Sequence, residues 1–352
     1  MEQEESVELP VLPVVRQPEG LRYYLGTWSG RILLLNLVVF VVMVSFEPSS
    51  LWMPSEQVIR DFGSKSLADI AMGEYWRFVS PIFVHIGAIH FLFNTMALYY
   101  IGYQIEYILG SRWFLLIYFV AVVVGNLASC LFSLALSAGA SGAIFGLLGS
   151  GYRMEGLLSD AFDREDIKRK PRKRIYSGLV ITNIVLGLVI PVIDNSAHIG
   201  GLVSGWLLTE AMLRTRPNRL RARNPKVTYA IFVSFIVFMF ISVFLSTDKQ
   251  RVTNRYISSA MGADSAKEAY RDFTEALRIE PLNEVARLYR GQLLLQAGET
   301  DRGLDDIKVA LATGKVSESQ LNDLIQNLEM IGQSNAAQAV RELSETLDKT
   351  DI

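Results

Sequence analysis

The feature that most constrains this chain is the way its apolar residues are gathered. Seven runs, near 30–46, 83–103, 112–134, 141–155, 175–193, 197–213 and 227–246, consist almost entirely of hydrophobic and small residues. Most approach the ~20 residues that a helix needs to cross hydrocarbon. In a bilayer the backbone amides have no water to bond, so runs of this kind are expected to close their hydrogen bonds internally, as helices. Half of the 352 residues are hydrophobic and the mean hydropathy is +0.26. Both follow from the clustering, and they predict an all-α fold: a polytopic membrane bundle of six helices plus a seventh, followed by a helical-repeat domain.

The net charge of −2 conceals an asymmetry that orients the spans. Arg164, Lys168, Arg169, Lys170, Arg172, Lys173 and Arg174 crowd one connection, and Arg214, Arg216, Arg219, Arg221, Arg223 and Lys226 crowd another. Both are expected on the cytoplasmic side. Counting outward from them places the N-terminal segment 1–29 inside, the 47–82 connection outside, the 214–226 loop inside, and everything after the seventh span, 227–246, outside. These charges are spent on topology, so nucleic acid is not an expected partner. The first run has no small-residue cleavage site after it and is read as a retained span. Cys130, the single cysteine, lies within an apolar run, so there is no disulfide framework and no activated thiolate to expect.

The chemistry-bearing residues are few. Only three histidines occur, His85, His90 and His198, all near the outer ends of predicted spans. His90 and Asn94 are four residues apart and share a helix face. The fourth run opens on Ser141 and fades by Arg153, which would give it only ~18 Å of helix and set Ser141 below the membrane surface. The second, fourth and sixth runs all point inward from the outer side, so His90, Ser141 and His198 are expected in one layer. Polar groups left unsatisfied in hydrocarbon cost several kcal/mol, and three helices carrying them at one depth imply a shared cavity. Imidazole can take the proton of a serine hydroxyl, and His90, Asn94 and the Ser141 amide can donate to an oxyanion. Asp194 lies one turn before His198 and reads as outer loop, which leaves a Ser-His dyad as the simpler assignment. Gly142, Gly146 and Gly149 on the fourth run, with Gly201 and Gly205 on the sixth, have the small-residue spacing of helices that pack backbone to backbone. No metal-ligand spacing occurs and no cofactor is expected.

Together, Gly73-Glu74-x-Trp76-Arg77, His85-x4-His90-x3-Asn94, Gly102-x3-Glu106-x3-Gly110, Gly139-x-Ser141-Gly142 and Ala197-His198-x2-Gly201-x3-Gly205 resemble the rhomboid intramembrane serine proteases. The resemblance covers 30–213. It implies a six-helix core, Ser141 as nucleophile, His198 as general base, and His90 with Asn94 around the oxyanion. His85, Gly139, Gly142, Phe145, Gly201 and Gly205 would support them, with Phe145 set against the catalytic imidazole. Glu106 reads as a structural carboxylate tying loops together. The implied activity is cleavage of transmembrane segments near the outer face, with the bilayer and membrane-protein substrates as partners, in a cell-membrane, multi-pass protein. The other readings are a non-catalytic binder of membrane clients and a scaffold that works through its C-terminal repeats.

Beyond the spans, 247–265 reads as a linker and 266–350 as tetratricopeptide-like helices. Ala269, Tyr270, Phe273, Ala276 and Leu277 precede Pro281, and Ala286, Tyr289, Gly291, Leu295 and Gly298 precede Ala310, giving roughly two and a half units. Arrays of this type hold an extended peptide or a partner helix on a concave face.

Overall fold

The computed structural model describes residues 20–161, 171–190, 193–215 and 225–348. The first 19 residues and the most basic stretches of the two orienting connections, 162–170 and 216–224, lie outside the described residues. No β-strand occurs among those described.

Thr27 starts the first long helix, α1 (Trp28–Phe46), its hydroxyl accepting from the Gly30 amide. The second run is not one smooth helix. It consists of α2 (Gly87–Ala97), a π turn over Leu98–Gly102, and α3 (Tyr103–Leu109). His85, expected within this span, instead precedes α2. The chain enters that helix at Gly87, whose φ is +79° and whose missing Cβ would lie 2.3 Å from the Trp52 carbonyl oxygen, so only glycine fits the turn. The next four helices are α4 (Ser111–Phe132), α5 (Ser141–Ala161), α6 (Pro171–Val189) and α7 (Asn195–Thr215). Glu106, buried on α3, joins the start of α1 to α4. Its carboxylate accepts from the Trp28 and Ser29 amides at 2.9 and 2.8 Å and from the Ser111 hydroxyl at 2.8 Å.

By length and apolarity alone, α1 and α4 are sufficient to cross a membrane. The helix α5 carries polar groups and turns most of its first turns inward. It is also longer than its sequence suggests. The fourth run should have faded at Arg153, but α5 continues to Ala161, because the Arg153 guanidinium is paired with the Glu210 carboxylate of α7. The length of α5 therefore does not set the depth of Ser141.

Backbone contact between α5 and α7 organises this unit. A Cβ on Gly201 would lie 2.0 Å from the Gly142 carbonyl oxygen, one on Gly205 2.0 Å from that of Gly146, and one on Gly149 2.2 Å from that of Leu202. Helices can come this close only where side chains are absent. Gly142 itself would meet nothing nearer than 3.7 Å, so its contribution is the carbonyl that Gly201 approaches. Below this seam Thr209 donates to Ser150 at 2.8 Å. Around it, Leu98, Ile105, Phe114, Ile117, Tyr118 and Leu147 form the apolar core.

A second compact unit gathers 65–77, 130–136 and 235–352. The helix α8 (Pro225–Thr247) ends at Asp248, where the chain bends by 72° into α9 (Lys249–Met261), capped by the Asp248 side chain. The stretch expected to be a linker is thus mostly helix. Its amphipathic face, with Val252, Tyr256 and Ala260 buried, packs on α10 (Ala266–Ile279). Four more helices follow: α11 (Glu284–Gln296), α12 (Thr300–Ala312), α13 (Glu318–Met330) and α14 (Ser334–Asp348). The second helix of each pair begins at Ala266, Thr300 and Ser334, and α9 supplies the first helix of the first pair, so there are three pairs rather than two and a half. Gly291 and Gly303 let α11 and α12 close together, and Asp306 accepts from both Arg287 and Arg290. In the same unit Arg278 of α10 pairs with buried Asp69 at 2.6 Å, and Arg255 of α9 donates to the terminal carbonyls of Cys130 and Leu131. Lys65, fully buried, donates to the Ala135 carbonyl at 2.8 Å.

Candidate active site

Ser141 is the first residue of α5, where backbone N–H groups have no partner within the helix. His198 lies in the first turn of α7, and close packing of the two helices brings the side chains together: Ser141 Oγ and His198 Nε2 are 2.8 Å apart. The Phe145 ring, one turn after the serine, stacks on the imidazole with centroids 4.1 Å apart and planes 8° from parallel. That contact fixes the plane in which Nε2 faces the hydroxyl. The serine is partly exposed, whereas His198, Phe145 and Asn94 are buried.

His90 and Asn94 stand on α2, facing Gly139. Glycine is required at that position on two counts. Its φ is +114°, and a Cβ there would sit 2.5 Å from His90 Cε1 and 2.6 Å from His90 Nε2. The Ile86 amide donates to His90 Nδ1 at 3.2 Å. A neutral imidazole that accepts at Nδ1 carries its proton on Nε2, so His90 presents a donor to the backbone just before Ser141. The Asn94 amide donates to the His90 carbonyl at 2.9 Å and keeps a second N–H for other use. Through Gly139, two residues before Ser141, His90 and Asn94 are brought next to the start of α5.

His85 does not reach the serine. It is fully buried behind His90, ring centroids 5.4 Å apart, with Phe91 edge-on at the same distance. Its effect is on the placement of His90. Of the expected residues, Ser141, His198, His90, Asn94, Phe145 and Gly139 converge on one place; His85, Gly201 and Gly205 shape its surroundings.

Several contributors lie outside the residues that the sequence singles out. Gly125 of α4 lets that helix approach α7: a Cβ there would lie 2.7 Å from the Ala197 carbonyl oxygen, beside His198. Gly200 makes the reciprocal approach, 3.0 Å from the Val124 carbonyl oxygen. The Gly125–Gly200 pairing joins residues 75 positions apart in a chain with many glycines, which spacing within one run does not reveal. Asp194 and Ser129 also meet near the start of α7. No group of three or more His, Cys, Asp or Glu side chains able to hold a metal ion occurs among the described residues.

Comparison with known proteins converges on the same region. A family model described as the rhomboid domain matches residues 72–215. Rhomboid protease GluP of Bacillus subtilis (strain 168) is 42% identical over 151 residues, which are 43% of this chain and 29% of that protein. RHOMBOID-like protein 4 of Arabidopsis thaliana is 36% identical over 163 residues, 46% of this chain and 40% of that protein. The rhomboid-protease candidate YdcA of Bacillus subtilis (strain 168) is 30% identical over 196 residues, 53% of this chain and 94% of that protein. The matches thus span less than half of the first two relatives and nearly all of the third.

Proposed function

This chain belongs to the rhomboid family, and we propose that it is an intramembrane serine endopeptidase that cleaves transmembrane segments of membrane proteins near the outer face. The observation that carries the reading is the 2.8 Å contact between Ser141 Oγ and His198 Nε2, beneath the stacked Phe145 ring. His198 Nε2 takes the hydroxyl proton as Ser141 Oγ attacks the scissile carbonyl. The negative charge that develops on the carbonyl oxygen is met by His90 Nε2–H, the Asn94 amide and the Ser141 N–H. The imidazolium returns its proton to the leaving amine, and water, deprotonated by the same histidine, hydrolyses the acyl-enzyme. Among the described residues His198 Nδ1 has no hydrogen-bond partner, which favours a dyad over a triad.

A substrate helix hides its carbonyls in its own hydrogen bonds, so substrates are expected to carry small or helix-weakening residues near the cut. The three C-terminal helix pairs, with second helices starting 34 residues apart, fit tetratricopeptide-like repeats on the outer side, where they would hold an extended peptide or a partner protein.

The test is purified full-length protein with a model transmembrane substrate, beside Ser141→Ala and His198→Ala. Each variant should lose at least about 1,000-fold in turnover, as serine-protease dyad members do. Equal cleavage by all three would leave the client-binder and scaffold readings in its place.

A further inference from the structure

His198 sits in the first turn of α7, the part of a helix most prone to fray, because the first N–H groups lack intrahelical acceptors. A general base must nevertheless hold its nitrogen within hydrogen-bond reach of the nucleophile. Phe145 fixes the plane of the ring, but a stacked ring can still slide along its neighbour. Something must fix the height and rotation of the turn that carries the imidazole.

We infer that Asp194 is a positioning residue for the proposed protease reaction: it pins the first turn of α7 to α4 and thereby registers His198 against Ser141. The inference rests on the protease reading given above. One carboxylate oxygen of Asp194 accepts from the Ala197 amide at 3.0 Å, and its main-chain carbonyl accepts from the His198 amide at 3.1 Å. The residue therefore caps the helix from both its side chain and its backbone. Its other carboxylate oxygen accepts from the Ser129 hydroxyl, near the end of α4. On the same face, the Gly125 and Gly200 approaches hold α4 and α7 at backbone distance. The Asp194–Ser129 link is the polar fastening at one end of that seam, and the glycine contacts prevent the helices from separating next to it. The carboxylate does not hydrogen-bond the imidazole, since His198 Nδ1 has no hydrogen-bond partner among the described residues, so the role inferred for Asp194 is positioning rather than that of a third triad member.

The experiment uses full-length protein with Asp194→Ala, Asp194→Asn and Ser129→Ala. A fluorophosphonate that labels an activated serine is read first, then kcat, KM and the pH profile on a model transmembrane substrate. Asp194→Ala should slow labelling and lower kcat about 10- to 100-fold with KM little changed, the pattern of a misplaced catalytic group. Asn retains an oxygen for the Ala197 amide and can exchange hydrogen bonds with the Ser129 hydroxyl. Asp194→Asn should therefore recover to within about threefold of wild type with an unaltered pH profile. Ser129→Ala, which leaves the helix cap intact, should fall between the two. Labelling and turnover unchanged in Asp194→Ala and Ser129→Ala would overturn the inference. So would an equal loss in Asn and Ala with a displaced pH profile, which would assign the effect to charge. Absence of labelling in wild type and Ser141→Ala alike would instead overturn the protease reading itself.

Discussion

The unit that holds the candidate active site and the unit that holds the C-terminal helices use the same device to bring helices close, in different solvents. In the first, Gly142 and Gly146 meet Gly201 and Gly205; in the second, Gly291 meets Gly303. The neighbours differ. The core places a backbone carbonyl 2.0 Å from where a Cβ on Gly201 or Gly205 would be, whereas a Cβ on Gly303 first meets the Leu295 side chain at 2.8 Å. In the C-terminal unit an apolar stripe, including Phe273, Leu277, Leu288, Leu295 and Ile307, drives the helices together and glycine only trims the fit. In hydrocarbon that drive is missing. Leu188 and Val189 are largely exposed there at no cost, and close backbone contact with buried polar links must supply the association.

If that contrast is correct, the sharpest way to break it is a matched pair of substitutions. Gly201→Ala should separate α5 from α7, remove the Ser141–His198 contact and lower turnover by more than about 100-fold, because its Cβ would lie only 2.0 Å from the Gly142 carbonyl oxygen. Gly303→Ala would press on the Leu295 side chain at 2.8 Å and on the Gly291 carbonyl oxygen at 2.9 Å, a far smaller overlap than 2.0 Å, and should cost about 1–3 kcal/mol of C-terminal stability with cleavage of a model substrate retained. Comparable loss of cleavage in both would dissolve the distinction. Turnover together with thermal unfolding in detergent reads both arms.

The buried ion pairs give a smaller test of the same contrast. Glu210 is buried beside Arg153 between α5 and α7, and Glu210→Ala would strand a guanidinium that is itself only 14% exposed, at about 3–5 kcal/mol. Asp306 accepts from Arg287 and Arg290, each about a fifth exposed. Those side chains can turn to water, so Asp306→Ala should cost less, about 2 kcal/mol. Chemical denaturation of both variants measures the difference, and a larger loss at Asp306 would contradict it.

How much of this was legible in the sequence follows the same division. Ser141, His90, Asn94 and His198 could be found because polar residues are conspicuous in apolar runs, and a 3–4 residue spacing places them on faces. The glycine pairs were legible for the same reason. In the C-terminal region the amphipathic pattern marks α10 and α11, but α9 reads as linker because Lys249, Gln250 and Arg251 mask the buried stripe of Val252, Tyr256 and Ala260. Arg153 reads as the end of α5 because its partner Glu210 lies 57 residues away in the chain. The Ser129–Asp194 link was hidden likewise: each residue alone is an ordinary polar end of a span, and only tertiary packing joins them across 65 positions.

The smallest expected effect lies where the chain leaves the apolar runs and meets water. Glu47 follows α1 directly, and its carboxylate accepts from the Ser55 amide and the Ser50 hydroxyl, each at 2.9 Å. The Ser55 amide is the main reason that its pKa lies below the ordinary glutamate value, with the Ser50 hydroxyl next. A carboxylate depressed by folding contributes order that is fully present above the unfolded pKa and is lost as pH falls through the lower folded one. The turn over 47–55 should therefore persist through the range where free glutamates protonate, about pH 4.3, and loosen only below it. The amide proton resonance of Ser55, followed during acidification, should show a midpoint below that value in wild type and no such transition in Glu47→Gln. A midpoint at or above it would mean that water, rather than the Ser55 and Ser50 donors, governs this carboxylate. Even the border of the membrane unit would then have to be stabilised by packing alone.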